Sequence, residues 1–316
     1  MLTGYSRGTI NSGCVRNRGY ELEITATPVL TRDFRWNTTL TWSKNDNKIL
    51  SLAEGADENQ VISTVGTASI IGRVGGTTGD LWGYKLVRDP EGNVIIGDNG
   101  LPEQADEIEY VGTAYADWKA GWYNEFSYKG FKLGILLDGQ VGGTIYSMSF
   151  HKMMEQGKLT QSLNGRLPGT EYYMDANDPR IAAAGYTPQS GMYMIAPGVV
   201  RNDDGTFSPN TKVVTIESFY KEYYRRANVE TNSFDASFLK IREIRLEYEL
   251  PKKVLEKSPF SKASIAVYGR NLWCFTDYPL FDPESVALDG SSMVSGIETG
   301  SLPTTRTFGF NLNLTF

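Results

Sequence analysis

Residues 305–316 read TRTFGFNLNLTF. In an extended strand, side chains alternate between two faces. Phe308, Phe310, Leu312, Leu314 and Phe316 therefore share one face, and Thr307, Gly309, Asn311, Asn313 and Thr315 share the other. Chain ends usually fray and carry polar residues. This one alternates large apolar groups up to its last residue, so one face of the strand is meant to be covered and the other to be wet.

The same period of two recurs upstream. YELEITATPV sets Tyr20, Leu22, Ile24 and Ala26 against Glu21, Glu23 and Thr25, and after Thr31-Arg32-Asp33 FRWNTTLTW sets Phe34, Trp36, Leu40 and Trp42 against Arg35, Asn37, Thr39 and Thr41. The two segments read as a hairpin. WKAGWYNEFSY (118–128) sets Trp122, Phe126 and Tyr128 against Glu125 and Ser127, with Asn124 as an imperfect member of the apolar face. Lys129-Gly130 marks a tight turn into FKLGILLDG, with Phe131, Leu133, Ile135 and Leu137 in phase. SFLKIREIRLEYEL sets Ile244, Leu246, Tyr248 and Leu250 against Glu243, Arg245, Glu247 and Glu249. ASIAVYGRNLWCF (263–275) has strand content, but its two faces are mixed and the pattern assigns neither.

These segments are about 10 to 15 residues long, against about 5 or 6 for an ordinary strand. Long strands with one apolar and one polar face suit a transmembrane β-barrel. The connections also fit. Residues 31–33, 129–130 and 251–262 are short, whereas 44–117, 148–232 and 276–303 are long, matching the short periplasmic turns and long extracellular loops of outer-membrane barrels. With the short turns periplasmic, the last strand runs downward and leaves Phe316 in the periplasm. A soluble β-sandwich explains the alternation equally well. It explains less well the charged second faces and the unequal loops.

Composition narrows the function. The chain holds 33 Gly, 18 Tyr, 14 Phe and 6 Trp with 22% charged residues, a β-rich profile. A net charge of −6 argues against nucleic acid, which rewards a basic face. Cys14 and Cys274 make neither a disulfide framework nor a metal pattern. A single histidine, His151, leaves little material for acid–base or zinc chemistry, so no catalytic residue, cofactor or metal is expected. The start, MLTGYSRGTI, has no apolar core of the kind a secretory signal needs.

Several segments together resemble the SusC/RagA family of TonB-dependent outer-membrane transporters, in its C-terminal half. They are NRGYELEITATPV, TTGDLWGYK, DPEGNV, DWKAGWYNEFSYKGFKLGILLDGQVGG, SFLKIREIRLEYELP, GRNLWCFTDYPLFDPE and GIETGSLPTTRTFGFNLNLTF. They occur in the family's order and cover nearly the whole chain. The resemblance implies an all-β fold: the C-terminal strands of a larger, about 22-stranded antiparallel transmembrane β-barrel with long extracellular loops. It implies that residues 1–316 form the C-terminal part of the receptor barrel, without signal peptide, plug domain or TonB box. The implied function is not enzymatic. It is TonB-dependent import of oligosaccharides, or of peptides or other large nutrients, across the cell outer membrane. The implied partners are a SusD-like surface lipoprotein, the TonB complex through the N-terminal part, the barrel-assembly machinery and outer-membrane lipid. On that reading Phe308, Phe310, Leu312, Leu314 and Phe316 form the signal recognised during barrel assembly. The alternative function is a soluble carbohydrate-binding β-sandwich.

Candidate contacts lie in the long 148–232 connection, which exceeds what a connector needs. IESFYKEYYRRAN suits a helix and groups Phe219, Tyr220, Tyr223 and Tyr224; Tyr172 and Tyr173 lie upstream. These rings are expected to meet a glycan or the lipoprotein lid, or else to fill a small core within the loop. His151 reads as an ordinary loop residue. GRVGGTTGD lacks the Lys-Ser/Thr of a phosphate loop, and RNDDGTF and RDPEGNV lack calcium-loop spacing, so all three read as turns.

Overall fold

The structure, a computed structural model, describes residues 13–284, 287–289 and 292–316; the opening MLTGYSRGTI lies outside them. The dominant element is one seven-stranded antiparallel sheet. Its strands are β1 (Gly13–Leu30), β2 (Phe34–Leu52), β3 (Trp118–Tyr128), β4 (Phe131–Val141), β5 (Phe238–Glu249), β6 (Lys262–Phe275) and β7 (Thr307–Thr315). They lie side by side in chain order, each paired with the next. Six of these are the segments that alternation selects and β6 is the one read as a strand from content alone, though β1 and β2 extend well beyond the pattern at their long-loop ends. The fold class expected from sequence therefore holds: an antiparallel barrel wall with long loops.

Register merges the separate strand faces into one surface, because residues directly opposed across an antiparallel pair point the same way. One row runs Trp36–Phe126–Leu133–Leu246–Val267–Phe310, another Leu40–Trp122–Leu137–Ile241–Trp273. The mixed strand β6 is resolved by its neighbours. Ile265 sits between Tyr248 and Leu312 and Val267 between Leu246 and Phe310, which puts both on the apolar face. The sequence signal is scrambled there by a bulge: the pairing slips between Ile241 and Glu243, and Asn271 takes φ 51° on the facing strand.

This apolar surface is bare. Phe308 is 74% and Phe310 77% exposed, and Leu22, Trp122, Leu246, Ile265 and Trp273 are exposed as well. A sandwich would bury such a face under a second sheet, and among the described residues none covers it. From Leu239 to Tyr248 the outward face of β5 spans roughly 30 Å along the strand. That is roughly 23 Å along the normal at ~40° tilt, against ~25 Å for the apolar band of a membrane barrel. Asn124, the irregular member of this face, is buried and accepts hydrogen bonds from Trp36 Nε1 and Thr38 Oγ1, both at 3.0 Å, so its amide oxygen is not left bare to hydrocarbon. No helix among the described residues is long and apolar enough to cross a membrane.

The opposite face is ionic and hydroxylic. Arg270 Nε meets Glu243 at 2.6 Å, Arg245 meets Glu247 at 2.8 Å, and Lys132 meets Glu249 at 3.8 Å. The three glutamates of the sequence pattern are thus members of a charge lattice.

The ends of the sheet differ. At one end lie residues 31–33, the Lys129-Gly130 turn, residues 250–261 and Phe316. Lys129 (φ 46°) and Gly130 (φ 89°) both occupy the left-handed region that a two-residue hairpin matched to strand twist requires. At the other end residues 53–117, 142–237 and the described residues of 276–306 fold into a separate layer with its own core. Ile96, Phe150, Met154, Met194, Val214, Ile216 and Phe219 are all buried there. The chain thus puts its apolar residues inside at the loop end and outside on the wall.

Candidate functional site

The loop layer holds the aromatic residues singled out from sequence. Helix Ile216–Tyr223 is capped by Thr215, whose hydroxyl accepts from the Ser218 amide at 3.0 Å, and Glu217 and Lys221 pair at 2.5 Å on its solvent side. The opposite side carries Phe219, Tyr220, Tyr223 and, at the cap, Tyr224. Tyr220 stacks on Tyr224 at 6.0 Å and Phe219 packs tilted on Tyr223 at 5.3 Å. Tyr223 and Tyr224 meet edge-on at 4.8 Å.

Two of these residues are structural. Phe219 and Tyr220 are buried, and the Tyr220 hydroxyl donates to the carbonyls of Gln161 and Asn164 at 3.1 and 3.0 Å. Tyr172, Tyr223 and Tyr224 are half-buried and share with them a cleft of about 490 Å³. Its remaining walls are Thr160, Gln161, Leu163, Asn164, Thr170 and Pro197. Tyr173 is half-buried and stands apart from this lining. No charged side chain lines the cleft. Burial pushes the phenols of Tyr172, Tyr220, Tyr223 and Tyr224 above the ordinary tyrosine range. They remain neutral hydroxyls across physiological pH. Neutral rings edged by hydroxyls and amides suit a ligand that is itself neutral, hydroxylated and partly apolar. A second cleft of about 610 Å³ lies across the helix and carries the charges: Glu155, Arg166, Glu217 and Lys221.

His151 is not an ordinary loop residue. It sits on helix Met148–Glu155, 1% exposed, and its Nδ1 donates to the Tyr224 carbonyl at 2.7 Å. Burial holds it below the ordinary histidine pKa, outweighing that hydrogen bond and Glu155. The unfolded segment therefore binds a proton more readily than the folded one, and stability falls as pH drops below ~6.5. The protection of amides across residues 142–237 against hydrogen exchange, referred to the intrinsic exchange rate at each pH, is expected to fall over that range. His151→Asn, which keeps a donor near Nδ1 and removes the titration, should flatten the response. Identical pH profiles for the two proteins would show that His151 is not the sensor.

Two buried carboxylates tie the layer together, and neither shows in the sequence pattern. Glu298, 2% exposed, accepts from Ser147 Oγ at 2.6 Å, Ser149 Oγ at 2.8 Å and the Ser301 amide at 2.9 Å. Burial pushes its carboxyl up, but these donors outweigh it and hold the pKa below the usual range. Asp282, 3% exposed, pairs with Lys240 at 2.7 Å and accepts from Thr304 at 2.6 Å. Arg242, at the β5 bulge, bridges Asp138 and Glu284.

Phe308, Phe310, Leu312 and Leu314 lie on the outward face of β7, and Phe316 follows it with its ring 5.0 Å from Phe260. The outer edges of β1 and β7 pair with no strand among the described residues.

A bare apolar band, an ionic inner face, short turns at one end and a folded layer at the other define a wall segment of a transmembrane-type β-barrel. No family model matches the chain. It is 26% identical to a TonB-dependent receptor of Formosa agariphila over 342 residues, covering 99% of this chain and 30% of that one. A second receptor of that organism is 24% identical over 99% of the chain. TonB-dependent receptor SusC of Bacteroides thetaiotaomicron is 26% identical over 44%. Among solved structures, the RagAB peptide importer in its closed-closed state matches 100% of the chain with a TM-score of 0.62 at 16% identity. In its open-open state the TM-score is 0.58 over 96%. The resemblance to SusC/RagA-type TonB-dependent receptors thus holds in sequence and in fold, and the chain spans about three-tenths of the length of the curated relatives that it matches end to end.

Proposed function

We propose that this chain is the C-terminal barrel part of a TonB-dependent outer-membrane importer. In this reading its apolar band faces lipid, its ionic face lines the lumen, and its loop layer meets the nutrient outside the cell. The short turns and Phe316 lie in the periplasm. Phe308, Phe310, Leu312, Leu314 and Phe316 present the strand that the assembly machinery recognises. A SusD-like lipoprotein covers the loop layer, and TonB acts through the rest of the receptor. No step of this function needs bond-making chemistry.

For the nutrient we favour an oligosaccharide. The observation that carries this choice is the uncharged lining of the aromatic cleft: Tyr172, Tyr223 and Tyr224 offer ring faces, and Gln161, Asn164, Thr160 and Thr170 offer neutral polar groups. A peptide would bring charged termini with nothing in that lining to meet them. The test is binding of neutral oligosaccharides and of peptides to the intact receptor–lipoprotein complex. Tyr172→Ala and Tyr223→Ala are each expected to weaken oligosaccharide binding about fivefold, from ~1 kcal/mol per ring. Peptide binding that falls instead, with oligosaccharide binding unmoved, would reverse the assignment.

A further inference from the structure

The outward face of the β1–β2 ribbon changes chemistry abruptly. From the short-turn end it runs Phe34, Trp36, Thr38, Leu40, Trp42 on β2, and Ala26, Ile24, Leu22, Tyr20 on β1. The next three positions on β2 are Lys44, Asp46 and Lys48, and the next two on β1 are Arg18 and Arg16. Register places them in rows: Tyr20 opposite Lys44, Arg18 opposite Asp46, Arg16 opposite Lys48. Adjacent rows on a strand lie ~7 Å apart and partners across it ~5 Å apart, so the four cations share a patch about the size of one lipid headgroup.

The patch is open and under-neutralised. Arg18, Lys44 and Lys48 are exposed, and none has an ion pair among the described residues. The single carboxylate, Asp46, lies 3.9 Å from Arg16, the longest of such contacts in the wall. The other side of the ribbon is occupied. Asn47 is buried and accepts from the Thr78 amide at 2.8 Å, and Ile49 is 2% exposed against the 53–117 loop. The loop layer therefore does not cover the cations, and they look outward at the level where the apolar band ends.

We propose that Arg16, Arg18, Lys44 and Lys48 form a binding site for the phosphate groups of the outer-leaflet glycolipid. The inference rests on the membrane reading above, which sets the long-loop end outside the cell. Tyr20 and Trp42 hold the interface; Lys44 stands level with Tyr20, Arg18 one row above it, and Arg16 and Lys48 one row further. That is where phosphates attached to a lipid-borne sugar headgroup lie, with the acyl chains running down Leu22, Ile24 and Leu40. Such a site would fix the depth and tilt of this part of the wall.

The test compares the intact receptor with an Arg18→Gln, Lys44→Gln, Lys48→Gln variant, both purified from outer membrane. The probes are phosphorylated lipid A and its dephosphorylated form in nanodiscs, with inorganic phosphate as competitor. At ~1 kcal/mol per charge, the variant is expected to bind phosphorylated lipid A about a hundredfold more weakly. The wild-type preference for the phosphorylated form should shrink as salt rises. Equal binding by both proteins overturns the site. So does a wild type that ignores the lipid's phosphates, or one that inorganic phosphate alone saturates. In each of these cases both proteins remain in the membrane fraction. If neither fractionates with membrane, the membrane reading itself has failed.

Discussion

Lys240→Met is expected to free the 276–306 segment from the wall and to destabilise its docking by about 3–5 kcal/mol, the range for removing one partner of a buried ion pair. Lys240 and Asp282 are each 3% exposed and meet at 2.7 Å. The ammonium also reaches Glu284 and lies 4.6 Å from the centre of the Phe238 ring. Methionine fills most of the lysine's volume, so the loss is electrostatic rather than a cavity: Asp282 stays buried with its Thr304 hydrogen bond and without its counter-ion. In the wild type, burial pushes the Asp282 carboxyl up, but Lys240, Thr304 and the Glu284 amide hold it below its ordinary value of 3.8. Its contribution is therefore present above that value and is lost as pH falls below it. In the variant the opposition is weaker, the pKa rises, and docking becomes more favourable as the carboxyl gains a proton. Hydrogen exchange of residues 276–306 checks both effects. A Lys240→Met, Asp282→Leu double variant should recover much of the protection, since burying neither charge costs less than burying one. If the single variant keeps wild-type protection at neutral pH, the pair does not anchor the segment.

The wall was legible because each strand carries its own record. One substitution of phase flips every side chain to the wrong face, so the alternations in 20–28, 34–42, 118–137 and 307–316 left little freedom. Where alternation lapsed, the reason is local. In 263–275 the outward set includes Gly269 and the inward set Ala266 and Tyr268, while the β5 bulge interrupts the facing strand. Only the neighbours' register supplies the missing phase. The loop layer was far less legible. A helix within IESFYKEYYRRAN follows from composition, and the structure supplies its bounds and its Thr215 cap. That Phe219 and Tyr220 turn into a core while Tyr223 and Tyr224 line a cleft depends on residues 159–172 and 194–197 folding against them. His151 became buried, and Glu298 and Asp282 became anchors, through contacts to residues as far as 151 positions away in the case of Ser147 and Glu298. Such pairings leave no periodic trace.

Phe310→Arg should cost about 2–4 kcal/mol of assembled stability, the penalty for a cation on the lipid face near the bilayer centre, whereas Asn311→Arg should stay within ~0.5 kcal/mol. The two residues are adjacent, both are exposed, and both lie in β7. They differ only in the face they present. Phe310 shares its row with Val267, Leu246 and Leu133, and Asn311 stands opposite Ala266 on the ionic side. On a water-soluble sheet Phe310, 77% exposed, would be a liability, and arginine there would improve solubility. On a lipid-facing wall the same change places a charge in hydrocarbon, where it must snorkel or drag water inward. The sign of the effect at Phe310 therefore separates the two environments without any knowledge of the nutrient. The readout is the urea midpoint of the refolded intact receptor in lipid vesicles, with the heat-modifiable shift of folded barrel on gels as a second measure. A Phe310→Arg protein that folds as well as wild type in vesicles would mean that this face does not meet lipid, and the assignment of the whole row from Leu133 to Phe310 would fall with it.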